Sequence, residues 1–399
     1  MTKNQLPFHI VVGGDTNRGD FPWSVSSLTI LKKSVFLLLM LFSFSCKKNN
    51  ESASSRNFYM GVTPWPAAYS TDAVNQSYAF INDHCDIVSH HFDEGIPYEE
   101  AFNNSAMPAR LQQDVLDRKT KTQQGKKILL SVAALSITRT QKAPYSTLAD
   151  NVPDSIKTKW SQLAFNDAKV VTAYVNFISY LADQLNPVYI NYGVESNCQD
   201  WTAADFILYK DFLSKVYQQL KTSHPSIPLF VSFIVSEDAR ALSYASQLVE
   251  YTDFLALSAY PYTSVSSSAN GNTDPSLFPA DYFTRFTNLA PGKPFGFAET
   301  GYAAENLVIP SFNLNKQCTP AWQDAYLQMI LKFCNERDSR FLIWFCHEDY
   351  DKLADYFMQN GLYIDLMGLW RDTGLTDENG VQRPAYNTWL GWQAKQKNN

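Results

Sequence analysis

Short apolar runs alternate along this chain with longer stretches whose apolar residues recur every three or four positions. The runs begin with Phe58–Val62, Cys85–Ser89, Lys127–Val132 and Val188–Tyr192. They continue with Leu229–Val235, Phe254–Ser258, Phe295–Ala298 and Phe341–Phe345. Their starts lie roughly 40 residues apart, room for one strand, one helix and the loops that join them. Between them, Thr202–Leu220 sets Phe206, Tyr209, Phe212, Leu213, Val216 and Leu220 on one stripe, with Thr202 placed to cap the helix. Val170–Leu185, Ala241–Val249 and Ala321–Cys334 follow the same helical period. Pro187, Pro228 and Pro294 each stand just before the next strand, where a helix has to have ended. Eight strand-then-helix units in succession predict a (β/α)8 TIM barrel in the α/β class, as a single domain over residues 58–399. A doubly wound open sheet is the competing arrangement of the same alternation.

The first 57 residues do not share this pattern. Lys32-Lys33 precedes a twelve-residue apolar run, Ser34–Ser45, which ends at Cys46. That is the length of a signal-peptide core and too short to span a bilayer. The cysteine looks like the lipidated residue of a bacterial lipoprotein, although Ser43 and Phe44 depart from the usual residues before it. Residues 47–57 read as a polar tether, and the thirty residues upstream as a non-native extension, with translation starting near Leu31. The expectation is an exported protein: an outer-membrane or cell-surface lipoprotein, or a periplasmic one, touching membrane only through its N-terminal lipid.

Composition narrows the function. The chain has 399 residues, 45% of them apolar and 18% charged, which suits a folded globular domain. Its net charge is −6 and no run of basic residues exceeds two, so nucleic acid is an unsuitable partner. Aromatic residues reach 14%, enough for a large core or for surfaces on which flat ligands stack. The six cysteines form no CxxC pair, and the histidines offer no His-x-His, so neither a metal nor another cofactor is expected. No Gly-x-Ser-x-Gly elbow supports a serine triad.

In such barrels the chemistry sits where the strands end. Strand one is followed by Thr63-Pro-Trp65, and strand two by His90-His91-Phe92-Asp93. Strand four is followed by Gly193-Val194-Glu195-Ser196-Asn197, and then Trp201. Strand six ends in Ser258-Ala-Tyr260-Pro-Tyr262, strand seven in Glu299-Thr-Gly-Tyr302, and strand eight in Trp344-Phe-Cys-His347-Glu348. Glu195 and Glu299 would face each other across the mouth. A glycosidic bond needs such a pair, one carboxyl to protonate the leaving oxygen and one to attack or stabilise the anomeric carbon.

With GVESN, LSAYPY, GFAETGY and FLIWF in these positions, residues 58–395 resemble the retaining glycoside hydrolases of clan A, the 4/7 barrel superfamily. The ETGY and SxYPY contexts bear a distant resemblance to endo-β-1,4-galactanases and neighbouring endo-acting families. The resemblance implies Glu195 as a general acid/base, protonated at rest through a raised pKa, and Glu299 as an ionised nucleophile. It implies that Tyr260 hydrogen-bonds the nucleophile and that Trp344 forms the floor under the sugar. Trp65, His90, His91, Asp93, Asn197 and Tyr302 are the further candidates for sugar contact.

One departure stands out. Most clan members carry Asn before the acid/base, where it binds the sugar 2-hydroxyl, and here Val194 occupies that place. Either Asn197, His90 or His91 takes over, or the substrate lacks that contact. The reading is thus a monomer cleaving a poly- or oligosaccharide by double displacement. The alternative is a catalytically inactive barrel that holds carbohydrate at the cell surface. Two long segments, 137–165 and 263–277, are expected to wall a cleft. Glu348, Asp349 and Asp351 are expected in a solvated loop.

Overall fold

The computed structural model describes residues 55–264 and 271–398. Cys46 and the segment proposed for export lie outside these residues. Eight parallel strands close into a barrel: Tyr59–Val62, Ile87–Phe92, Lys127–Val132, Tyr189–Gly193, Leu229–Ile234, Leu255–Ala259, Phe295–Thr300 and Ser339–Trp344, here strands one to eight. Each pairs with its sequence neighbours, and strand one closes the ring against strand eight, with Tyr59 opposite Phe341 and Gly61 opposite Ile343. Gly61 is obligatory, since a Cβ there would stand 2.2 Å from the carbonyl oxygen of Ile87.

The helices fall where the apolar stripes lie. The longest, Ala203–Ser223, buries Phe206, Tyr209, Phe212, Leu213, Val216 and Leu220, and Thr202 Oγ1 caps it by accepting from the Asp205 amide at 3.1 Å. Helix Ala168–Leu185 ends at Asn186, whose left-handed φ of 49° turns the chain before Pro187. Two boundaries moved from their expected places. Strand two starts at Ile87, because Cys85 still serves as the C-cap of helix Thr71–His84, and it therefore runs on through His90 and His91. The helix expected over Ala241–Val249 runs from Ala239 to Ser246, with a short 3-10 turn at Val249–Tyr251.

Side chains that point into the barrel follow from one cluster: Ile87, Leu129, Phe230, Phe254, Ala256, Ala298, Phe341 and Ile343, with Tyr59 and Tyr189 packed against it. Residues from every strand can meet only on the barrel axis. Phe230 and Phe254 stand 4.6 Å apart between ring centroids, and Tyr189 and Phe341 5.1 Å, so aromatic rings plug the lower barrel. Two residues further along strands two to six, on the same face, come Ser89, Ser131, Asn191, Ser232 and Ser258, a buried layer of small polar groups. The next inward positions form the mouth. The second and much larger core lies between the strands and their helices.

The barrel starts earlier than the expected tether allows. Arg56 is 2% exposed, and its guanidinium holds both oxygens of Asp86 at 2.6 and 2.9 Å. It also donates to the backbone oxygens of Phe58, Trp392 and Gln393, which ties the chain before strand one to the C-terminal helix Pro384–Gln393. All five cysteines among the described residues are buried and unbridged. No helix among these residues is long and apolar enough to cross a membrane.

Candidate active site

Strand parity decides which side chains reach the mouth. On strand two, Ile87 and Ser89 face inward, so His91 does too and His90 does not. His90 is fully buried on the helix side, with Nε2 3.1 Å from Thr122 Oγ1. His91 brings Nδ1 to 3.8 Å from Glu299 Oε2. On strand eight, Phe341 and Ile343 face inward, and Phe345 continues that row.

Trp344 therefore points outward. It is fully buried and donates from Nε1 to the Thr373 carbonyl at 2.9 Å. The sugar-floor role expected for Trp344 is corrected by that one-residue alternation, and the cavity is floored by Phe345 instead.

Strand seven obeys parity only after an interruption. Ala298 belongs to the inward cluster, which should turn Glu299 outward. However, Leu257 pairs with Phe297 while Ser258 pairs with Glu299, a bulge that inserts one unpaired residue. The bulge re-aims Glu299 into the mouth. There the Tyr260 hydroxyl donates to Glu299 Oε1 at 2.5 Å.

Glu195 comes from the turn after strand four. Its φ is 53°, left-handed, and its amide donates to Ser232 Oγ at 2.9 Å. Gly193 makes the turn possible, because a Cβ there would meet Val231 Cγ1 at 2.7 Å and Ser196 Oγ at 2.8 Å. Ser258 Oγ donates to Glu195 Oε1 at 2.7 Å, and Arg139 Nε donates to Oε2 at 2.7 Å. Both glutamates are about one-fifth exposed, 18% and 20% by side chain.

The environment separates their proton affinities. Burial pushes Glu195 up, but the Arg139 guanidinium, the hydrogen bonds from Ser258 and Arg139, and the His91 ring outweigh it. The carboxyl is held below its ordinary range. Burial and then the charge of Glu195 push Glu299 above its ordinary range, offset only partly by His91, Tyr260 and Arg139. Both shifts run opposite to the expectation, in which Glu195 was the raised carboxyl and Glu299 the ionised one. The reason is Arg139, a loop residue that no motif singled out.

Both glutamates open onto one cavity of about 840 Å³, also lined by Thr63, Trp65, His91, Asp93, Leu135, Ile137 and Arg139. Phe345, Tyr350, Met367 and Trp370 complete it. Trp65 stands 5.6 Å from Phe345 and 5.7 Å from Tyr350, and Phe345 6.2 Å from Trp370, a connected aromatic wall. A second, slightly larger cavity of about 910 Å³ shares Thr63, Trp65, His91 and Asp93 with the first. It continues between helices Thr71–His84 and Ala109–Lys121. The carboxylate pair lies in the first.

Of the remaining sequence candidates, Trp65 and Asp93 line the cavity and two do not. Asn197 is fully buried, accepting from the Ile234 amide at 2.6 Å and donating to the carbonyls of Ile234 and Ala241. It secures the Glu195 turn and has no amide left for sugar. Tyr302 is also fully buried, its hydroxyl spent on Thr273. Among the three stand-ins for the missing Asn, only His91 reaches the cavity.

Asp349, expected in a solvated loop, is 1% exposed and held by Arg383 at 2.6 and 2.8 Å. Among the described residues, two acidic groups could in principle ligate an ion, Glu305/Asp349/Glu378 and Asp349/Asp351/Asp372. Arginine already neutralises both: Arg383 also reaches Glu305 at 3.0 Å, and Arg371 reaches Asp372 at 2.8 Å and Asp351 at 3.2 Å.

No protein-family model and no curated protein matches this chain. Solved structures do. An exo-beta-1,4-mannosidase, Op5Man5 from Opitutaceae bacterium strain TAV5, aligns with a TM-score of 0.56 at 14% identity. The alignment covers 86% of this chain and only 61% of the mannosidase. A GH5_18 protein from Bifidobacterium longum subsp. longum ATCC 55813, in complex with Manb1-4GlcNAc, aligns with a TM-score of 0.58 at 14% identity, over 85% of this chain and 78% of that one. A GH5_18 protein from Bifidobacterium longum subsp. infantis gives 0.57 at 13%, over 87% and 80%. At such identities the likeness is one of fold, the (β/α)8 barrel that these glycoside hydrolases share with this chain.

Proposed function

We propose that this protein is a retaining O-glycoside hydrolase acting on a poly- or oligosaccharide. The observation that carries the reading is the convergence of Glu195 and Glu299, from strands four and seven, on one aromatic-walled cavity, with Tyr260 bonded to Glu299. In the first step Glu299 attacks the anomeric carbon while Glu195 gives its proton to the departing glycosidic oxygen. In the second, Glu195 takes a proton from water, and that water displaces Glu299 from the sugar. Tyr260 steadies the carboxylate charge that Glu299 carries before attack and regains on release.

Mannose- and N-acetylglucosamine-containing oligosaccharides head the substrate candidates, since one structural neighbour was solved with Manb1-4GlcNAc. β-Galactan follows from the sequence resemblance. Continuity of the two cavities through Trp65 and Asp93 supports a chain longer than two sugars and endo action. The proposal includes export and lipid attachment at Cys46, which mass spectrometry of the mature N-terminus tests.

The decisive experiment scores reducing ends released from β-mannan, β-galactan, β-glucan, arabinan and host-type glycans, with wild type beside Glu299→Ala. Release that the variant loses supports the enzyme. Equal binding by both proteins without release supports the second reading, a carbohydrate-holding barrel. That reading is favoured by Val194 and by the ion pair that occupies Glu195.

A further inference from the structure

The acid/base of this proposed hydrolase is tied to a cation, an arrangement that opposes protonation. Arg139 sits at the tip of a tight turn after strand three, where Ser136 N donates to Gln141 O at 2.8 Å and Arg139 N to Ser136 O at 2.9 Å. Its φ of 58° is left-handed, a conformation that costs a non-glycine residue about 1 kcal/mol. Strain of this kind at a cavity edge points to a functional constraint.

Of five guanidinium N–H donors, that on Nε is committed to Glu195, and Nη1 lies 3.5 Å from the Ser136 carbonyl oxygen. The other N–H groups have no protein acceptor among the described residues, and the side chain lines the cavity. Ile137, on the same turn, is 47% exposed and also lines it. The turn thus offers an incoming saccharide both an apolar face and unspent donors.

We propose that Arg139 is a latch on Glu195. With the ion pair closed it fixes Glu195 as a carboxylate, so a proton held by the pair sits on Glu299, which no arginine among the described residues bonds; a saccharide whose hydroxyls take over the guanidinium draws it away, and that proton passes to Glu195. One proton is then conserved within the pair. Glu195 becomes an acid and Glu299 becomes an ionised nucleophile, with Tyr260 still donating to it. The groups that act on this exchange are Arg139 and Asp93 from the loops, His91 from strand two, Glu299 from strand seven, and Tyr260 and Cys198 after strands six and four. Arg139 is a positioning residue here, since it acts through Glu195. The inference rests on the hydrolase reading above.

The test compares pH profiles on whichever polysaccharide the panel shows to be cleaved. The acidic limb of kcat/KM reports the lower-titrating carboxyl of the free pair, which with the latch closed is Glu195, whereas kcat reports the complex, where the latch is open. Arg139→Gln should therefore raise the acidic limb of kcat/KM by at least about one pH unit and leave that of kcat in place. Arg139→Lys should reverse part of the rise. Carbon-13 titration of glutamate-labelled protein, assigned with Glu195→Gln and Glu299→Gln, should show Glu195 titrating below Glu299 in wild type and above it in Arg139→Gln. An acidic limb of kcat/KM that Arg139→Gln does not move, or an unchanged titration order in that variant, overturns the latch and leaves the hydrolase standing. Failure of wild type to cleave anything on the panel overturns both.

Discussion

Ser258 and Glu299 stand opposite each other on strands six and seven, although Leu257 immediately before is paired with Phe297. The extra residue between Phe297 and Glu299 is Ala298, and it alone lets two successive side chains of strand seven face the axis. Deleting Ala298 should restore simple alternation and keep Phe297 outward and Glu299 inward, since Leu257 with Phe297 and Ser258 with Glu299 are already paired. The expected result is a barrel that keeps its far-ultraviolet circular dichroism and retains part of the cleavage that Glu299→Ala loses.

The bond from Tyr260 to Glu299 favours the ionised carboxylate. Tyr260→Phe removes it, so the Glu299 pKa should rise further, and the alkaline limb of kcat/KM, which Glu299 sets while Glu195 titrates below it, should move to higher pH. A loss of about 10²-fold in kcat is the expected scale for one donor aimed at developing charge. Activity profiles from pH 4 to 8, as an order of range for a carboxylate pair, check both effects.

Stability should record the same electrostatics with opposite signs for the two glutamates. Glu299 has a folded pKa above its unfolded value, so its protonated form stabilises the fold at low pH. That contribution is lost as pH rises through the folded value. Glu299→Gln should therefore melt higher than wild type at neutral pH, by on the order of 1 kcal/mol or roughly 2 °C in Tm. The gap should close below the unfolded pKa of about 4.3. Glu195 is depressed, so its stabilisation is present above that unfolded value and fades as pH falls through the folded one. Calorimetry across pH measures both.

Asn197 and Trp344 should behave as structural residues. Asn197→Ala strands the buried Ile234 amide and should cost about 1–3 kcal/mol, and Trp344→Ala about 3–5 kcal/mol. Urea denaturation reads these losses, and neither variant that folds should change KM more than a few-fold. Trp370→Ala is the contrast. Trp370 packs edge-on to Tyr260 at 5.9 Å and lines the cavity, so its loss should raise KM about tenfold, the effect of one lost aromatic contact of about 1.4 kcal/mol.

The barrel was legible because its signals are local. Each strand is a short apolar run, each helix a stripe, and the caps and prolines mark the ends. The strand ends also pointed to Glu195, Glu299, Tyr260, Trp65, His91 and Asp93, all of which the cavity or its glutamates bring together. What failed was parity near the mouth. Trp344 was placed inside by likeness of motif, whereas counting from Phe341 puts it outside, and Phe345 was there to be found. His90 and His91 could be split by alternation once strand two was known to reach them. Arg139 left no signal at all: Ser136-Ile-Thr-Arg139 is an unremarkable loop, and its meeting with Glu195, 56 residues away in sequence, exists only in three dimensions.

Arg56 gives the domain a direction. Its bonds to Asp86, Phe58 and the final helix lie beneath the strands, at the end where they begin, while the glutamates lie where the strands finish. Force on the chain upstream of residue 55 is therefore taken up by a buried guanidinium clamp on the closed face. The two ends of the barrel thus divide the work: where the strands begin, the first and last described segments are locked together, and where they finish, the cavity opens.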